Sequence, residues 1–382
     1  MILPEGIKYV GVNDHEIDLF EGQYSVPNGM AYNSYLVSGE KTAVLDTVDS
    51  RFVSQWIENL ETALCGKQPD YLIVQHMEPD HSAGIALFAE KYPGASIVAS
   101  AKAFPMMKNF LGFDPTSRQI VAAELLQLDL GGRSLTFYSA PMVHWPEVIV
   151  SYDSLTHTLF SADAFGKFGA LDTDEDWACE ARRYYFGIVG KYGAQVQSLL
   201  KKISALEIKT VCALHGPSLS GDALSAALEK YQIWSTYQPE DQGVTIACAS
   251  IYGNTRKAAE LLAQKLTAKG KKVSLFDLAR DDMAEAVEDA FRYSTLVLAS
   301  STYNNGLFPY MHTFINALTE RNYQNRKIAF IENGSWAPAA AKNMKSLLEN
   351  SKNLTYAETE ITLRSALNDE TTQQIDALAS EL

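Results

Sequence analysis

The sequence predicts an α/β protein of two domains: a strand-rich first domain with mixed sheets over residues 1–242, then a doubly wound parallel sheet over 243–382. Three observations carry this expectation. Short β-branched and apolar runs crowd the first part, strand–helix alternation takes over in the second, and the polar, proline-containing YQPEDQG at 237–243 separates them. With 382 residues, 47% of them apolar, the chain is long enough to bury more than one core.

In the first part, NSYLV, TAVLDTV, YLIVQH, ASIVAS, SLTFYSA and EVIVSYD read as strands, with helical patterns between several of them. Within SYLVSGEKTAVLDTV, Ser38-Gly39-Glu40 reads as a hairpin turn, so the sheets are not purely parallel. The helical GDALSAALEKYQIWSTY leads into the boundary. Beyond it VTIACAS, KKVSLFDLA, TLVLASS and KIAFIENG read as strands, alternating with the helical KAAELLAQKLTAKG, MAEAVEDAFRYS, YMHTFINALTE and AAAKNMKSLLEN. No internal repeat or low-complexity tract appears.

Composition narrows the function. A net charge of −14 repels phosphate backbones and anionic membranes, which disfavours nucleic acid and membrane surfaces as partners. The four cysteines, Cys65, Cys179, Cys212 and Cys248, form no C-x-x-C, so neither a disulfide framework nor a thiolate metal knuckle is expected, and buried free thiols are. The start lacks a signal-peptide pattern and no apolar run approaches a membrane span; a cytoplasmic location is expected.

The chemistry concentrates at strand ends. YLIVQ places His76 at the carboxyl end of a buried strand, in a strand-to-helix loop that also holds Glu78, Asp80 and His81. His144 in APMVHWPEVIV, Asp163 in TLFSADAFG and His215 in VCALHGPS follow other apolar runs. A single such histidine is more often a hydrogen-bonded loop residue, but four imidazoles and three carboxylates at four strand ends suffice for two metals if one carboxylate bridges. His157 and His312 read as a surface and a helix residue. His15 could line a pocket, with a structural role the plainer reading.

In the second part, VTIACAS, the loop Ser250-Ile251-Tyr252-Gly253-Asn254-Thr255 and an amphipathic helix with Leu261, Leu262 and Leu266 form a strand–loop–helix unit. Amides at a helix N-terminus favour an anion, Gly253 permits close approach, and the Ser250 and Thr255 hydroxyls can donate. With neither G-x-G-x-x-G nor G-x-x-x-x-G-K-[ST], a monophosphate fits better than a dinucleotide or triphosphate. Two later strand ends supply Thr302, Tyr303, Asn304, Asn305 and Gly306, and Gly334, Ser335 and Trp336. Tyr303 and Trp336 could stack on a bound ring or simply anchor their loops.

The H-x-[E/H]-x-D-H stretch with distant His, Asp and His resembles the metallo-β-lactamase superfamily over about the first 240 residues, which implies an αββα sandwich with a binuclear site at one edge. Zinc hydrolases of that superfamily have histidine where this chain has Glu78. A carboxylate adds charge and a hard oxygen donor, which stabilises a ferric ion and argues for iron, with zinc or manganese as the alternative. The second-part loops resemble the FMN site of the flavodoxin family, although Gly334-Ser-Trp-Ala-Pro338 keeps only the first two residues of the usual third loop.

Together the halves resemble the flavodiiron proteins over essentially the whole chain. That resemblance implies FMN and two non-haem irons, reduction of O2 to water, of NO to N2O, or both, and a rubredoxin-type external donor, since no Cys-rich rubredoxin-like segment is present. A two-electron flavin beside two one-electron irons matches the four electrons that O2 needs; two NO need two. By resemblance His76, Glu78 and His144 hold one iron, Asp80, His81 and His215 the other, and Asp163 bridges them. Trp145 and Tyr24 are then pocket walls or core aromatics, and a head-to-tail homodimer or dimer of dimers is implied. The competing readings are a zinc hydrolase with an attached flavodoxin domain, and a non-enzymatic redox flavoprotein with a vestigial first domain.

Overall fold

The computed structural model describes residues 2–382 and divides into two compact units, the first ending at Gln232 and the second running from Ile233 to Leu382. In the first unit, one six-stranded sheet runs in the order Ile7–Tyr9, Tyr35–Ser38, Thr42–Leu45, Tyr71–Val74, Ser96–Ala99, Gln119–Val121. Its first two pairings are antiparallel, including the expected hairpin through Gly39, and the other three are parallel. A second six-stranded sheet runs Gln127–Asp129, Ser134–Ser139, Ile149–Asp153, Thr158–Phe160, Thr210–Cys212, Leu219–Ser220, antiparallel except where Thr158–Phe160 meets Thr210–Cys212.

Strand alternation explains why the two sheets pack. Tyr35, Val37, Ala43, Leu45, Ile73 and Val98 of one sheet share a buried cluster with Leu135, Phe137, Ile149, Phe160 and Cys212 of the other. The intervening Leu36, Val44, Leu72 and Ile97 are buried as well, so this sheet is covered on both faces. The helix Val53–Leu64 buries Trp56, Ile57, Leu60 and Leu64 along one stripe, and the Trp56 indole donates to Ser34 Oγ at 2.9 Å. These layers are the expected sandwich.

In the second unit the order is Lys272–Asp277, Asp241–Ala249, Tyr293–Tyr303, Lys327–Asn333, with Thr355–Tyr356 and Ile361–Leu363 both joining the last, every one of these pairings parallel. Val244, Ile246, Val297, Ala299, Ala329 and Ile331 bury one face against Ala258, Leu262 and Leu266 of helix Asn254–Ala268 and Ile375 and Leu378 of helix Asp369–Glu381. Asp282 and Asn368 cap two of the helices with side-chain hydrogen bonds, Asn368 in a capping box with Thr371.

The division between units falls ten residues before the cut expected at 242. The polar stretch is tied into the second unit: Trp234 donates to Glu240 at 2.8 Å, Arg326 Nη1 to the Tyr237 carbonyl at 2.7 Å, and the first strand already begins at Asp241. Two cysteines also depart from expectation, Cys65 and Cys179 being exposed while Cys212 and Cys248 are buried. Among the described residues no helix is long and apolar enough to cross a membrane.

Arg326 is buried and donates to the carbonyls of Tyr237, Gln324 and Phe291. Arg326→Ala strands these acceptors in the interior and is expected to cost about 3 kcal/mol, read from urea denaturation of the intact chain.

Candidate metal centre and phosphate cleft

Several candidate ligands are held by local devices. His76 lies two residues beyond strand Tyr71–Val74, and the amides of Gln75 and His76 donate to Asp46 Oδ1 at 2.7 and 3.3 Å. Asp80 and His81 lie in a helical turn, Pro79–Ser82, rather than in the open loop expected. Pro79 favours helix initiation there, and Glu78 occupies the N-cap position. Thr47 donates to the His81 carbonyl from both N and Oγ1 at 2.8 Å. Asn33 Nδ2 reaches the Ala213 and Gly216 carbonyls at 2.8 Å and so brackets His215.

These devices bring all seven predicted side chains together, in two groups, His76, Glu78, His144 and Asp163, and Asp80, His81 and His215. Glu78 Oε2 and Asp163 Oδ2 both face the Nε2 atoms of His76, each at 3.2 Å, and of His144, each at 3.0 Å. Asp80 Oδ2 faces His81 Nε2 at 3.2 Å and His215 Nε2 at 3.4 Å, and Asp163 Oδ1 faces the same two at 3.5 and 3.8 Å. One carboxylate thus turns an oxygen to each group.

The donors fit a pair of cations. All four oxygens of Asp80 and Asp163 are buried without a well-formed hydrogen bond, an arrangement that is costly unless positive charge sits among them. Two of the outward nitrogens are backed, His76 Nδ1 by Glu147 Oε1 at 2.8 Å and His215 Nδ1 by the Ala31 carbonyl at 2.7 Å, which leaves both Nε2 atoms facing inward. Imidazole and carboxylate without thiolate suits iron, manganese or zinc.

Without metal the site binds protons. Burial works against charging His144, but its bonds to Asp163 and Glu78 prevail and push it up to about 9. His76 and His81 are raised in the same way, against burial, by Asp163 and Asp80 respectively. Burial would raise Asp80 and Asp163, yet the surrounding imidazoles hold both below the carboxylate range.

The remaining predicted residues sort clearly. Trp145 lies edge-on to His76 with ring centres 5.2 Å apart, at the site's wall. Tyr24 is a core residue, its hydroxyl donating to the Gly187 carbonyl and its ring against Phe168. His15 is exposed beside Asp172, His157 sits in a turn against Tyr152, and His312 is exposed on helix Pro309–Glu320; none joins the centre. Sequence reading missed Asp46, Glu147 and Tyr184, whose buried hydroxyl has no partner among the described residues and whose ring lies 5.4 Å from His215. It also missed Glu21 and Arg51, which line a 400 Å³ opening onto Glu78 and Asp80. A carboxylate three residues after His144 is the one signal that could have found Glu147.

In the second unit a cleft of about 570 Å³ is lined by Ser250, Ile251, Tyr252, Asn254, Thr255, Thr302, Tyr303, Asn304, Asn305, Gly334, Ser335 and Trp336, all predicted. Gly253 and Gly306, also predicted, lie in the same loops but are not among its lining residues. Gly253 has φ +86° at the start of helix Asn254–Ala268, whose first turn has neither a side-chain cap nor an acid, leaving its amides available to a phosphate. Gly306 closes a short hairpin with Tyr303. Ser301, Asn333, Ala337 and Ser365 also line the cleft and were not foreseen. The Thr302 hydroxyl accepts from the Ala339 and Ala340 amides and so serves a helix end. Tyr252 and Trp336 are 94% and 86% exposed at the rim, free to take a ring against them.

A family model described as ODP family beta lactamase matches residues 30–216, and a flavodoxin model matches 246–362. The chain is 29% identical over 360 residues to the anaerobic nitric oxide reductase flavorubredoxin of Aliivibrio salmonicida, covering 91% of this chain and 71% of that protein. It is 27% identical to that of Escherichia coli O1:K1, covering 92% and 75%. In fold it resembles the flavodiiron protein of Giardia intestinalis (TM-score 0.92, 24% identity, 99% of this chain and 95% of that one). It also resembles rubredoxin oxygen:oxidoreductase from Desulfovibrio gigas (0.91, 24%, 100% and 97%).

Histidines whose folded pKa is raised stabilise the fold fully below their unfolded value near 6.5 and lose that contribution as pH rises through the folded value. Metal-stripped protein is therefore expected to lose thermal stability between about pH 6.5 and pH 9, the value reached by His144, and metal-loaded protein to show no such loss in parallel melts.

Proposed function

We propose that the chain is a flavodiiron protein that reduces nitric oxide to nitrous oxide, dioxygen to water, or both, at two non-haem irons, with FMN relaying electrons from a rubredoxin-type donor. The observation that carries this reading is the shared carboxylate: Asp163 turns one oxygen toward His76 and His144 and the other toward His81 and His215. His76, Glu78 and His144 would hold one ion, Asp80, His81 and His215 the other. Bound there, iron supplies one-electron redox chemistry at each centre, and FMN in the second-unit cleft supplies a two-electron store.

The protein's own part is positioning and exclusion. Burial of the ligands keeps bulk water away, and the opening lined by Phe20, Glu21, Arg51, Glu78 and Asp80 is the route by which a small gas reaches them. The hydrolase reading is disfavoured by Glu78, a carboxylate where a zinc site would use a third imidazole. The names of the sequence relatives favour nitric oxide, and that of the Desulfovibrio neighbour favours dioxygen. A cytoplasmic location and a head-to-tail homodimer, or a dimer of such dimers, complete the proposal; the exposed Tyr252 and Trp336 at the cleft rim support a surface that is covered in an assembly.

Metal and flavin analysis should give roughly two irons and one FMN per chain, and the fully reduced protein should reoxidise rapidly on mixing with NO, O2 or both. Zinc with thioester or lactam hydrolysis, or slow reoxidation by both gases, would count against the function. Asp163→Ala should lose both metals together, whereas Glu78→His should shift uptake toward zinc and abolish gas reduction. Mixing a flavin-loop variant with an iron-site variant should partly restore activity if the flavin of one chain serves the irons of the other; strictly additive loss would refute that arrangement.

A further inference from the structure

The two ligand groups are alike in their donors. Each has two imidazoles, a terminal carboxylate and one oxygen of Asp163. They differ in what stands behind the imidazoles. His76 Nδ1 lies 2.8 Å from Glu147 Oε1, both side chains being fully buried. The same oxygen accepts from the Met77 amide at 2.9 Å, and Glu147 Oε2 is buried without a partner. In the other group, His215 Nδ1 meets only the neutral Ala31 carbonyl, and His81 Nδ1 is buried with no partner among the described residues. The other buried carboxylate nearby, Asp46, interacts with His81 through charge but makes no hydrogen bond to its ring, its oxygens being engaged by the Gln75 and His76 amides and the Gln75 side chain.

We propose that Glu147 is a positioning residue that makes the two metal sites unequal, so that the ion held by His76, Glu78 and His144 is bound more tightly than the ion held by Asp80, His81 and His215. This rests on the di-iron reading above. A carboxylate accepting the Nδ1 proton fixes the tautomer with the Nε2 lone pair toward the metal and strengthens that donor. A backbone carbonyl orients the ring without adding charge. Glu147 also lies three residues beyond His144, so one side chain ties the His76 strand end to the loop that carries a second ligand of the same ion.

The test loads the full-length chain with ferrous iron under anaerobic conditions and titrates it with a chromogenic chelator. Wild type should release its two ions in separate steps. Glu147→Gln keeps the size and can still accept from His76 and Met77 but removes the charge; it should weaken the later step by about 10–100-fold and leave the earlier one in place. Glu147→Ala should do the same with a lower thermal midpoint. A merely structural glutamate predicts that Gln restores the wild-type curve. Superimposed curves for wild type and Glu147→Gln, or equal shifts of both steps, overturn the proposal. A wild type that takes up no iron defeats the di-iron reading itself, before any variant is compared.

Discussion

The buried carboxylate of Asp163 is the constraint on which the first unit depends. It is fully enclosed, carries no well-formed hydrogen bond, and stands between two pairs of imidazole nitrogens within 3.0–3.8 Å. An isolated carboxylate in such a place would be expelled or neutralised. It survives because four histidines from three other strand ends converge on it. That requires the edges of two sheets to deliver their chain ends to one spot, and the sandwich is the architecture that does so.

Convergence has a local cost, and the backbone shows where it is met. Asp46, Met142, Ala162 and Phe165 all have positive φ without being glycine, and each lies within three residues of a ligand or holds a ligand strand directly. Such conformations cost on the order of 1–2 kcal/mol each and persist only where surrounding contacts over-determine them. Here the contacts are on hand: Asp46 accepts two backbone amides and the Gln75 side chain, Asn33 spans two carbonyls, and Thr47 grips His81 twice. The left-handed turns and the hydrogen bonds that fix them act as one device. It aims side chains inward from strands that would otherwise run past the site.

Much of this was legible because it is local. A buried strand ending in two histidines and two carboxylates, and a strand–glycine turn–helix unit, are patterns of neighbouring residues, and the structure brings the residues of each together. The hairpin at Gly39 and the parallel second sheet were likewise read from period and turn chemistry. What escaped were relations over long separations. Glu147 supports His76 from 71 residues away, and Asp46 supports Gln75 from 29. Nothing in the periodicity near either carboxylate distinguishes it from an ordinary surface acid. The division between units falls ten residues before the expected cut for a related reason: YQPEDQG looks like a linker, but Arg326, far along the chain, binds its Tyr237 carbonyl.

Glu78 acquires its meaning from symmetry. With histidine at that position the two groups would differ, three imidazoles against two, and the bridging oxygen would join unlike centres. With glutamate each centre has two imidazoles, one terminal carboxylate and half of Asp163, and the three carboxylates together offset most of the charge of two divalent cations. Matched, hard-oxygen surroundings suit two ions that must pass between the same pair of oxidation states, since neither centre is a trap for the electron the other gives up. A hydrolytic pair has no such need, because its ions never change charge. The carboxylate that set this site apart in the sequence is thus the one that equalises the donors. Any inequality between the ions must then come from the groups behind them.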